Sequence, residues 1–211
     1  MISNKKICIL DYGAGNIQSV YNILLAITPD VTVSNKLNDI KLATHIILPG
    51  VGAFGVAMDK IRNKIPLAIL EDEIFQNKKP FLGICVGMQV LATKGYEFGE
   101  HEGLGWIPGS VKKVNADSLP LPHVGWNNIN ILRESPLLKG LDDKQDFYFV
   151  HSYKLVADNE SDIVAKTQYG ENFNSIVSRD NIFGVQFHPE KSQKAGRLLL
   201  ENFLKLQVES R

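Results

Sequence analysis

The sequence predicts an α/β fold with an open, mostly parallel central sheet, helices on both faces of that sheet, and additional antiparallel strands. Two observations lead to this prediction. In the N-terminal half, short apolar runs alternate with segments whose apolar residues recur at helical spacing, a pattern typical of parallel sheets. After about residue 100, short β-like stretches are separated by Gly, Pro, Asn and Asp, which indicates antiparallel strands that extend the sheet.

Each element of the N-terminal half follows from a local pattern. Short apolar runs predict buried strands, and the helical spacing that follows a run predicts a helix. The predicted strands lie at residues 6–11, 31–33, 44–48 and 80–84, and the predicted helices at residues 16–27, 53–62, 66–76 and 86–93. Pro66 supports a helix start at that position, because proline is favoured in a first turn.

The C-terminal half adds predicted strands at residues 111–114, 127–132, 146–151, 154–157, 163–167, 175–179 and 182–187. A loop is expected from Pro189, followed by an amphipathic helix over residues 195–208. The sequence has no internal repeat, low-complexity tract or long linker. We therefore expect residues 1–211 to form one domain around a single extended sheet.

Composition excludes several classes of function. The 211 residues include 23 Lys and Arg and 23 Asp and Glu, so the formal net charge is zero. A general nucleic-acid binder or a polybasic membrane-surface protein carries a basic excess, so neither nucleic acid nor a membrane is an expected partner. Near-zero net charge promotes association, which fits a subunit that has a protein partner.

Cysteine usage and hydropathy bound the cellular location. The two cysteines, Cys8 and Cys85, are too few for a disulfide framework. The polar N-terminus lacks a signal-peptide core, and no apolar run approaches the ~18 residues of a spanning helix. We therefore expect a soluble, cytoplasmic protein with reduced thiols.

Cys85 lies in a pattern typical of a nucleophile. Gly83-Ile-Cys85-Val-Gly87 follows a predicted strand and precedes a predicted helix, as in the G-x-S-x-G elbow of hydrolases. A sharp strand-to-helix turn strains the nucleophile, and the residues two positions away must lack a Cβ. A helix N-terminus also favours the thiolate. A buried core cysteine is the alternative, and it is the better interpretation of Cys8, which lies within an apolar strand.

A base for this nucleophile is predicted at the end of a later strand. His188 follows an apolar run, and Glu190 is close enough to fix the tautomer of its imidazole. A solvated turn is the alternative interpretation of His-Pro-Glu taken alone. Backbone N–H groups for an oxyanion are predicted at Val86 and along Gly50, Val51 and Gly52, where an ordinary strand-end turn is the alternative.

Other motifs do not indicate a cofactor. Gly13 and Gly15 resemble part of a dinucleotide fingerprint, but the third glycine is replaced by Gln18. The remaining histidines lack the spacing of a zinc site. Among them, His123 and His151 are better interpreted as structural hydrogen-bonding residues than as ligands. We expect neither a metal nor a cofactor.

Several motifs together resemble the class I, triad-type glutamine amidotransferases, which have a flavodoxin-like core. The general motifs are Leu48-Pro-Gly-Val-Gly-Ala-Phe54, Gly83-Ile-Cys-Val-Gly-Met-Gln89 and Gln186-Phe-His-Pro-Glu190. Within that family, the chain is similar to the glutaminase subunits of imidazole glycerol phosphate synthases. This closer resemblance rests on Asp11-Tyr-Gly-Ala-Gly-Asn16, Val51, Pro122-His-Val-Gly-Trp-Asn127, Phe147-Tyr-Phe-Val-His-Ser-Tyr153 and His188-Pro-Glu-Lys-Ser192.

The resemblance implies a role for each matched residue. Cys85 would attack the side-chain amide of glutamine and form a γ-glutamyl thioester, with His188 as acid and base and Glu190 as its orienting group. Residues expected to line the glutamine pocket are Gln89, Glu97, Gly52, Ser152 and Tyr153. The peptide between Gly50 and Val51 is expected to need reorientation, which would make glutaminase activity depend on a partner.

The implied partner is a separate (β/α)₈ cyclase subunit that receives ammonia and forms imidazole glycerol phosphate and aminoimidazole carboxamide ribotide. The matched interface positions are Asn16, Trp126, Tyr148 and Lys191. Val124 departs from the family's usual methionine, an apolar exchange near that interface. Three alternatives stay open at this point: a paralogous subunit that supplies another amidation such as modified-sugar synthesis, a stand-alone cysteine hydrolase, and a catalytically silent binding subunit.

Overall fold

The computed structural model describes residues 5–13 and 15–207. Its strands are β1 (Ile7–Leu10), β2 (Val31–Ser34), β3 (His45–Gly50), β4 (Phe81–Cys85), β5 (Lys94–Gly95), β6 (His101–Glu102), β7 (Gly109–Lys113), β8 (His123–Asn128), β9 (Asn130–Ile131), β10 (Asp146–His151), β11 (Tyr153–Ala157), β12 (Ile163–Tyr169), β13 (Glu171–Arg179) and β14 (Ile182–Val185). Its α-helices are α1 (Ile17–Leu25), α2 (Leu37–Leu42), α3 (Phe54–Lys64), α4 (Leu67–Glu71), α5 (Val86–Gln89) and α6 (Gln193–Lys205).

An eight-stranded sheet forms the centre of the molecule, in the order β2-β1-β3-β4-β14-β13-β12-β9. The five strands from β2 to β14 pair in parallel, and β13, β12 and β9 continue the sheet in antiparallel pairing. The predicted α/β fold with a parallel core and additional antiparallel strands is therefore confirmed. Among the described residues, no helix is long and apolar enough to cross a membrane.

Burial along the central strands explains why their sequences are continuous apolar runs. Every residue of β1, β3, β4 and β14 is buried, as expected when both faces of a parallel sheet are covered. β3 and β4 end at Gly50 and Cys85, which are register partners. The two loops that carry the predicted nucleophile and oxyanion donors therefore begin side by side at the carboxyl edge, where ligands bind in such sheets.

The prediction of one extended sheet is wrong for part of the C-terminal half. β10 and β8 form a separate two-stranded ribbon, and β11, β7, β5 and β6 form a separate four-stranded sheet. The predicted strand over residues 127–132 is also wrong, because the chain changes sheets at Ile129. The Ile129 backbone bonds to Gln145 and Lys144 instead of continuing a strand, so β8 pairs with β10 while β9 joins the central sheet.

The helix predicted over residues 86–93 is wrong in its second half. α5 ends at Gln89 because the following amides leave the helical i→i−4 pattern: those of Leu91 and Ala92 bond to carbonyls three residues back, and that of Thr93 bonds to the distant Gly109 carbonyl. The carbonyls of the same segment bond to a separate loop. The amides of Leu104, Ile107, Gly105 and Gly103 bond to the carbonyls of Val90, Leu91, Ala92 and Thr93, at 2.8–3.0 Å.

Three further helical differences are smaller. The sequence analysis did not predict α2, and the helix predicted over residues 66–76 divides into α4 and a π-helical turn, Asp72–Gln76. The C-terminal helix predicted over residues 195–208 is present as α6, but it begins two residues earlier and ends at Lys205; residue 208 of that prediction lies outside the described residues.

Candidate active site

Cys85 is held on a strained turn between β4 and α5. Its backbone has φ 55° and ψ −112°, a conformation that costs roughly 1–3 kcal/mol for a residue with a side chain. The side chain is buried, with its Sγ 3.8 Å from the carbonyl oxygen of Val150, and the Gln186 amide nitrogen lies 3.8 Å from the same sulfur. The predicted elbow is present, and the thiol is directed at neighbouring polar groups.

The two glycines that flank the elbow are sterically required. A Cβ on Gly87 would lie 1.8 Å from the carbonyl oxygen of Leu48 on β3, and one on Gly83 would lie 2.4 Å from the carbonyl oxygen of Gly87. Real Cβ atoms never approach backbone oxygens this closely. The absence of side chains at both positions therefore lets α5 start directly against β3 and β4.

His188 and Glu190 form a buried pair beside the elbow. The Nδ1–H of His188 donates to Oε1 of Glu190 at 2.7 Å, and both side chains are almost inaccessible to water. The histidine backbone is fixed from both sides: its N–H donates to the Tyr148 carbonyl at 2.8 Å, and its carbonyl accepts from Ser192 Oγ at 2.6 Å. The pairing fixes the tautomer and leaves Nε2 for the cysteine.

The pKa of His188 reflects its two partners. Burial by itself lowers this pKa, but hydrogen bonds and charge interactions with Cys85 and Glu190 outweigh burial and raise it to about 9. At neutral pH the ring is therefore an imidazolium beside the sulfur, able to stabilise a thiolate and to give up a proton. Cys8 is different, because burial, its largest influence, raises the pKa of that thiol to about 12 and keeps it protonated.

A cavity of about 400 Å³ adjoins the cysteine. The predicted site residues that line it are Val51, Gly52, Cys85, Val86, Gln89, Glu97, Ser152, Tyr153, His188 and Lys191. All five residues predicted for the glutamine pocket are in this group. A pocket of this size accommodates a small polar substrate.

The polar residues of the cavity wall are themselves fixed by hydrogen bonds. Glu97 Oε2 accepts from the N–H of Phe54, the first residue of α3, at 2.8 Å, which places a carboxylate at a helix N-terminus. Gln89 Nε2 donates to the Tyr153 carbonyl at 2.9 Å and to Gln186 Oε1 at 3.1 Å. The wall is therefore largely pre-organised.

The predicted oxyanion residues lie on both sides of the cysteine. Val51 and Gly52 follow β3 at the cavity, and Gly52 has φ 96°, which suits glycine. Gly50 does not line the cavity but lies behind it, where an added Cβ would approach the Tyr12 hydroxyl to 2.6 Å. Val86 starts α5 directly after the nucleophile.

The four residues predicted at a partner interface are linked by short contacts. Trp126 and Tyr148 are cross-strand neighbours on β8 and β10 with ring centroids 5.9 Å apart, and Lys191 Nζ lies 5.8 Å from the centre of the Tyr148 ring. Trp126 is half exposed. Asn16 connects to this group through the neighbour of Lys191, because its side-chain amide donates to Oε1 of Glu190.

Three residues of the site were missed by sequence reasoning. Gln186 and the Val150 carbonyl contact the sulfur, and His151 lines the cavity. All three lie within the matched motifs, which gave them no role of their own. For His151, periodicity was a further signal: residues 147, 149 and 151 alternate on the buried face of β10, which places a histidine in an apolar environment.

An elbow cysteine, a buried imidazole–carboxylate pair and an adjoining cavity are the arrangement of a cysteine-dependent acyl-transfer enzyme. Residues 8–206 match the model of the family "glutamine amidotransferase class-I", so the chain belongs to that family.

Individual relatives and structures are similar over most of the chain. The imidazole glycerol phosphate synthase subunit HisH of Pelagibacter ubique is 44% identical over 95% of this chain and 99% of its own length. The same subunit of Salinibacter ruber is 47% identical over 94% of this chain and 93% of its own length. A crystal structure of a glutamine amidotransferase from Thermotoga maritima has a TM-score of 0.71 at 14% identity, over 98% of this chain and 99% of that chain.

Proposed function

We propose that this protein is the glutaminase subunit of an imidazole glycerol phosphate synthase, acting in histidine biosynthesis. In this function it hydrolyses glutamine to glutamate and ammonia, and the ammonia passes to a partner subunit. The observation that carries the proposal is the buried Cys85–His188–Glu190 arrangement beside a cavity, in a chain 44–47% identical to HisH subunits.

In the first half of the proposed reaction, the Cys85 sulfur attacks the side-chain carbonyl carbon of glutamine. The carbonyl π electrons move to oxygen, and the oxyanion is stabilised by the N–H groups of Val86 and of the residues 51–52. His188 then donates its proton to the departing nitrogen, so the C–N bond breaks and ammonia leaves. A γ-glutamyl thioester remains on Cys85.

In the second half, water replaces ammonia. His188, now neutral, takes a proton from water as the oxygen attacks the thioester carbon. The C–S bond breaks, glutamate leaves, and the thiolate–imidazolium pair is restored. Glu190 keeps the His188 ring in one tautomer throughout through the 2.7 Å hydrogen bond to Nδ1. Gln89, Glu97, Ser152 and Tyr153 hold the substrate in the cavity.

The partner in this proposal is a (β/α)₈ cyclase subunit that docks on Asn16, Trp126, Tyr148 and Lys191. Half-exposed Trp126 and the neighbouring Tyr148 are aromatic residues, the types enriched at interface centres. Ammonia released beneath such a docked partner avoids bulk water, where protonation removes its nucleophilic lone pair. A cytoplasmic location accompanies this proposal and agrees with the two free thiols.

The first test compares the two nitrogen sources. Cys85→Ala should abolish glutamine-dependent formation of imidazole glycerol phosphate by the complex and leave turnover with added ammonium salt unchanged. Cys8→Ala is the matched control and should retain both activities. Retained glutamine turnover in Cys85→Ala would contradict the nucleophile assignment, and loss of both activities in Cys8→Ala would point to a structural effect.

The second test addresses the partner. The isolated chain should hydrolyse glutamine very slowly, and addition of the cyclase subunit with its nucleotide ligand should raise the rate strongly. A high rate without partner would contradict a conditional oxyanion hole. A partner-stimulated rate with a different amidation acceptor, and none with the histidine-pathway nucleotide, would favour the paralogous function.

A further inference from the structure

A buried pair of histidines connects the β8–β10 ribbon to the wall of the cavity. His123 on β8 and His151 on β10 are register partners, and both are almost fully buried. His123 Nδ1 lies 3.1 Å from His151 Nε2, and His151 Nδ1 lies 2.9 Å from the carbonyl oxygen of Tyr153. At the other end, the Asn127 amide nitrogen lies 3.3 Å from His123 Nε2.

The partners of the two rings determine their tautomers. A carbonyl oxygen only accepts, so His151 Nδ1 carries a hydrogen and donates to Tyr153. Burial lowers the pKa of His151 to about 3 and that of His123 to about 4, so both rings are neutral at neutral pH. His151 Nε2 is therefore an acceptor, His123 Nδ1 donates to it, and His123 Nε2 accepts from Asn127.

The result is a chain of hydrogen bonds from Asn127 through both rings to the Tyr153 carbonyl. Each group in this chain donates to the next one. That carbonyl also accepts from Gln89 at 2.9 Å, and Gln89 donates as well to Gln186, whose amide nitrogen faces the Cys85 sulfur. The backbone of residues 151–153 forms one side of the cavity. Its orientation is therefore fixed by two donors to the Tyr153 carbonyl, His151 and Gln89.

We propose that His123 and His151 are positioning residues for glutamine binding, which hold the Ser152–Tyr153 wall of the cavity in its substrate-binding geometry through this hydrogen-bond chain. The inference rests on the proposed glutaminase function. Neither ring acts on substrate chemically in this role. His123 works entirely through His151, because its own partners are Asn127 and the neighbouring ring.

A packing role is the competing explanation, since His123 also stacks on aromatic rings. Its centroid lies 3.9 Å from that of Tyr169 and 5.1 Å from that of Phe149. Two substitutions separate the roles. His123→Phe keeps an aromatic ring but removes the donor, whereas His123→Asn keeps an N–H near the Nδ1 position but removes the ring.

The decisive measurement is the glutamine KM of the complex, with kcat and ammonium-driven turnover measured in parallel. We expect His123→Phe to raise KM about tenfold, because a buried acceptor loses its donor. The KM of His123→Asn should stay within about twofold of that of the unsubstituted chain, although the Tm of His123→Asn should be lower than that of His123→Phe. Ammonium-driven turnover should be unchanged in both. Unchanged KM in His123→Phe, or a larger rise in His123→Asn, would overturn the proposal.

The tautomers provide a test that needs no substitution. In ¹⁵N-histidine spectra of the complex at pH 7.5, the rings of His123 and His151 should both be neutral and protonated at Nδ1. Protonation at Nε2 in either ring would overturn the directed chain. Failure of the glutaminase proposal is distinguishable from both results, because it would appear as no glutamine turnover by the unsubstituted complex whatever the tautomers are.

Discussion

At the scale of single residues, one carboxylate oxygen connects two parts of the chain. Oε1 of Glu190 accepts from both His188 Nδ1 and the side-chain amide of Asn16, which is 174 residues away in sequence. The adjoining Gly15 packs against Val51, since a Cβ added there would lie 3.0 Å from a Val51 methyl carbon. The loop at residues 15–16 therefore contacts both the orienting carboxylate and the predicted oxyanion loop.

This contact predicts a catalytic effect for Asn16. Asn16→Ala removes one of the two hydrogen bonds that orient Glu190, so the His188 ring is less well held. We expect kcat for glutamine hydrolysis by the complex to fall about tenfold, corresponding to the ~1.4 kcal/mol of one charge-assisted hydrogen bond. The glutamine KM should change little. Steady-state assays at saturating partner measure both constants.

The control for Asn16→Ala lies on the same segment. Gln18 bonds to Asn22 within α1 and to no other residue that the structure describes, so Gln18→Ala should leave kcat unchanged. The partner Kd is determined separately for both variants, since Asn16 is also a proposed interface residue. A loss that disappears when partner is saturating would show that Asn16 acts in docking alone.

At the scale of elements, the elbow depends on the close approach of α5 to β3. Gly87→Ala would place a Cβ 1.8 Å from the Leu48 carbonyl oxygen, and both groups belong to rigid backbone. We expect a loss of more than ~3 kcal/mol in the free energy of unfolding, or failure to fold, since neither element can retreat without breaking the parallel sheet. Urea denaturation followed by circular dichroism measures the loss.

A substitution at a second glycine separates the effect of steric overlap on stability from that of backbone strain. Gly140 has φ 77°, but the nearest atom to its added Cβ is a Leu198 methyl carbon at 3.8 Å. Gly140→Ala should therefore cost only about 1 kcal/mol, the price of positive φ for a side chain. Equal losses in the two variants would mean that overlap at Leu48 is relieved by movement of the elbow.

We expect partner binding to be sensitive to substitutions on the β8–β10 ribbon. Trp126→Ala removes a half-exposed indole, and we expect partner Kd to rise roughly thirtyfold, or about 2 kcal/mol, with little change in Tm of the isolated chain. Leu42→Ala on α2 removes a comparably exposed apolar side chain outside the proposed surface and should bind normally. Equal binding by both variants would argue against docking on the ribbon.

Elements set by local patterns were predictable, and those set by distant contacts were not. The elbow was predictable because Gly83, Cys85 and Gly87 lie close together in sequence. His188 was predictable because Glu190 is two residues away. The end of α5 was not, since it depends on the Thr93 amide, which bonds to the distant Gly109 carbonyl instead of continuing the helix. The roles of Asn16 and of the histidine pair likewise depend on contacts between separate elements, which no local pattern encodes.

At the scale of the whole molecule, we propose that residues 1–211 form one cooperative domain. One cluster of buried apolar residues includes members of the parallel strands, the β10 strand and α6, such as Ile9, Phe149 and Phe203. Long-range polar contacts also join segments far apart in sequence, as in the bond from Lys5 Nζ to the Leu206 carbonyl at 2.9 Å. A core shared in this way is expected to unfold in one transition.

The buried neutral histidines predict how the stability of that domain depends on pH. Burial, the largest influence, lowers the pKa of His45 to about 4, and the ring packs edge-on against Phe203. Unfolding exposes the ring, which then titrates near its ordinary value of about 6.5. The unfolded state thus binds more protons than the native state between these values, so stability is complete above pH 6.5 and falls as pH decreases toward 4.

Replacing His45 isolates its contribution to this acid sensitivity. His45→Phe keeps an aromatic ring beside Phe203 but has no proton to gain, so its urea-unfolding free energy should fall less between pH 7.5 and pH 5.0 than that of the unsubstituted chain. The difference should be about 2 kcal/mol, from ~1.4 kcal/mol per pH unit over the interval below 6.5. Because the core is shared, the loss of stability caused by this one buried ring should appear in the single unfolding transition of the whole domain. An identical pH dependence in both chains would mean that His45 takes up its proton at the same pH in the native and unfolded states, so that burial does not lower its pKa.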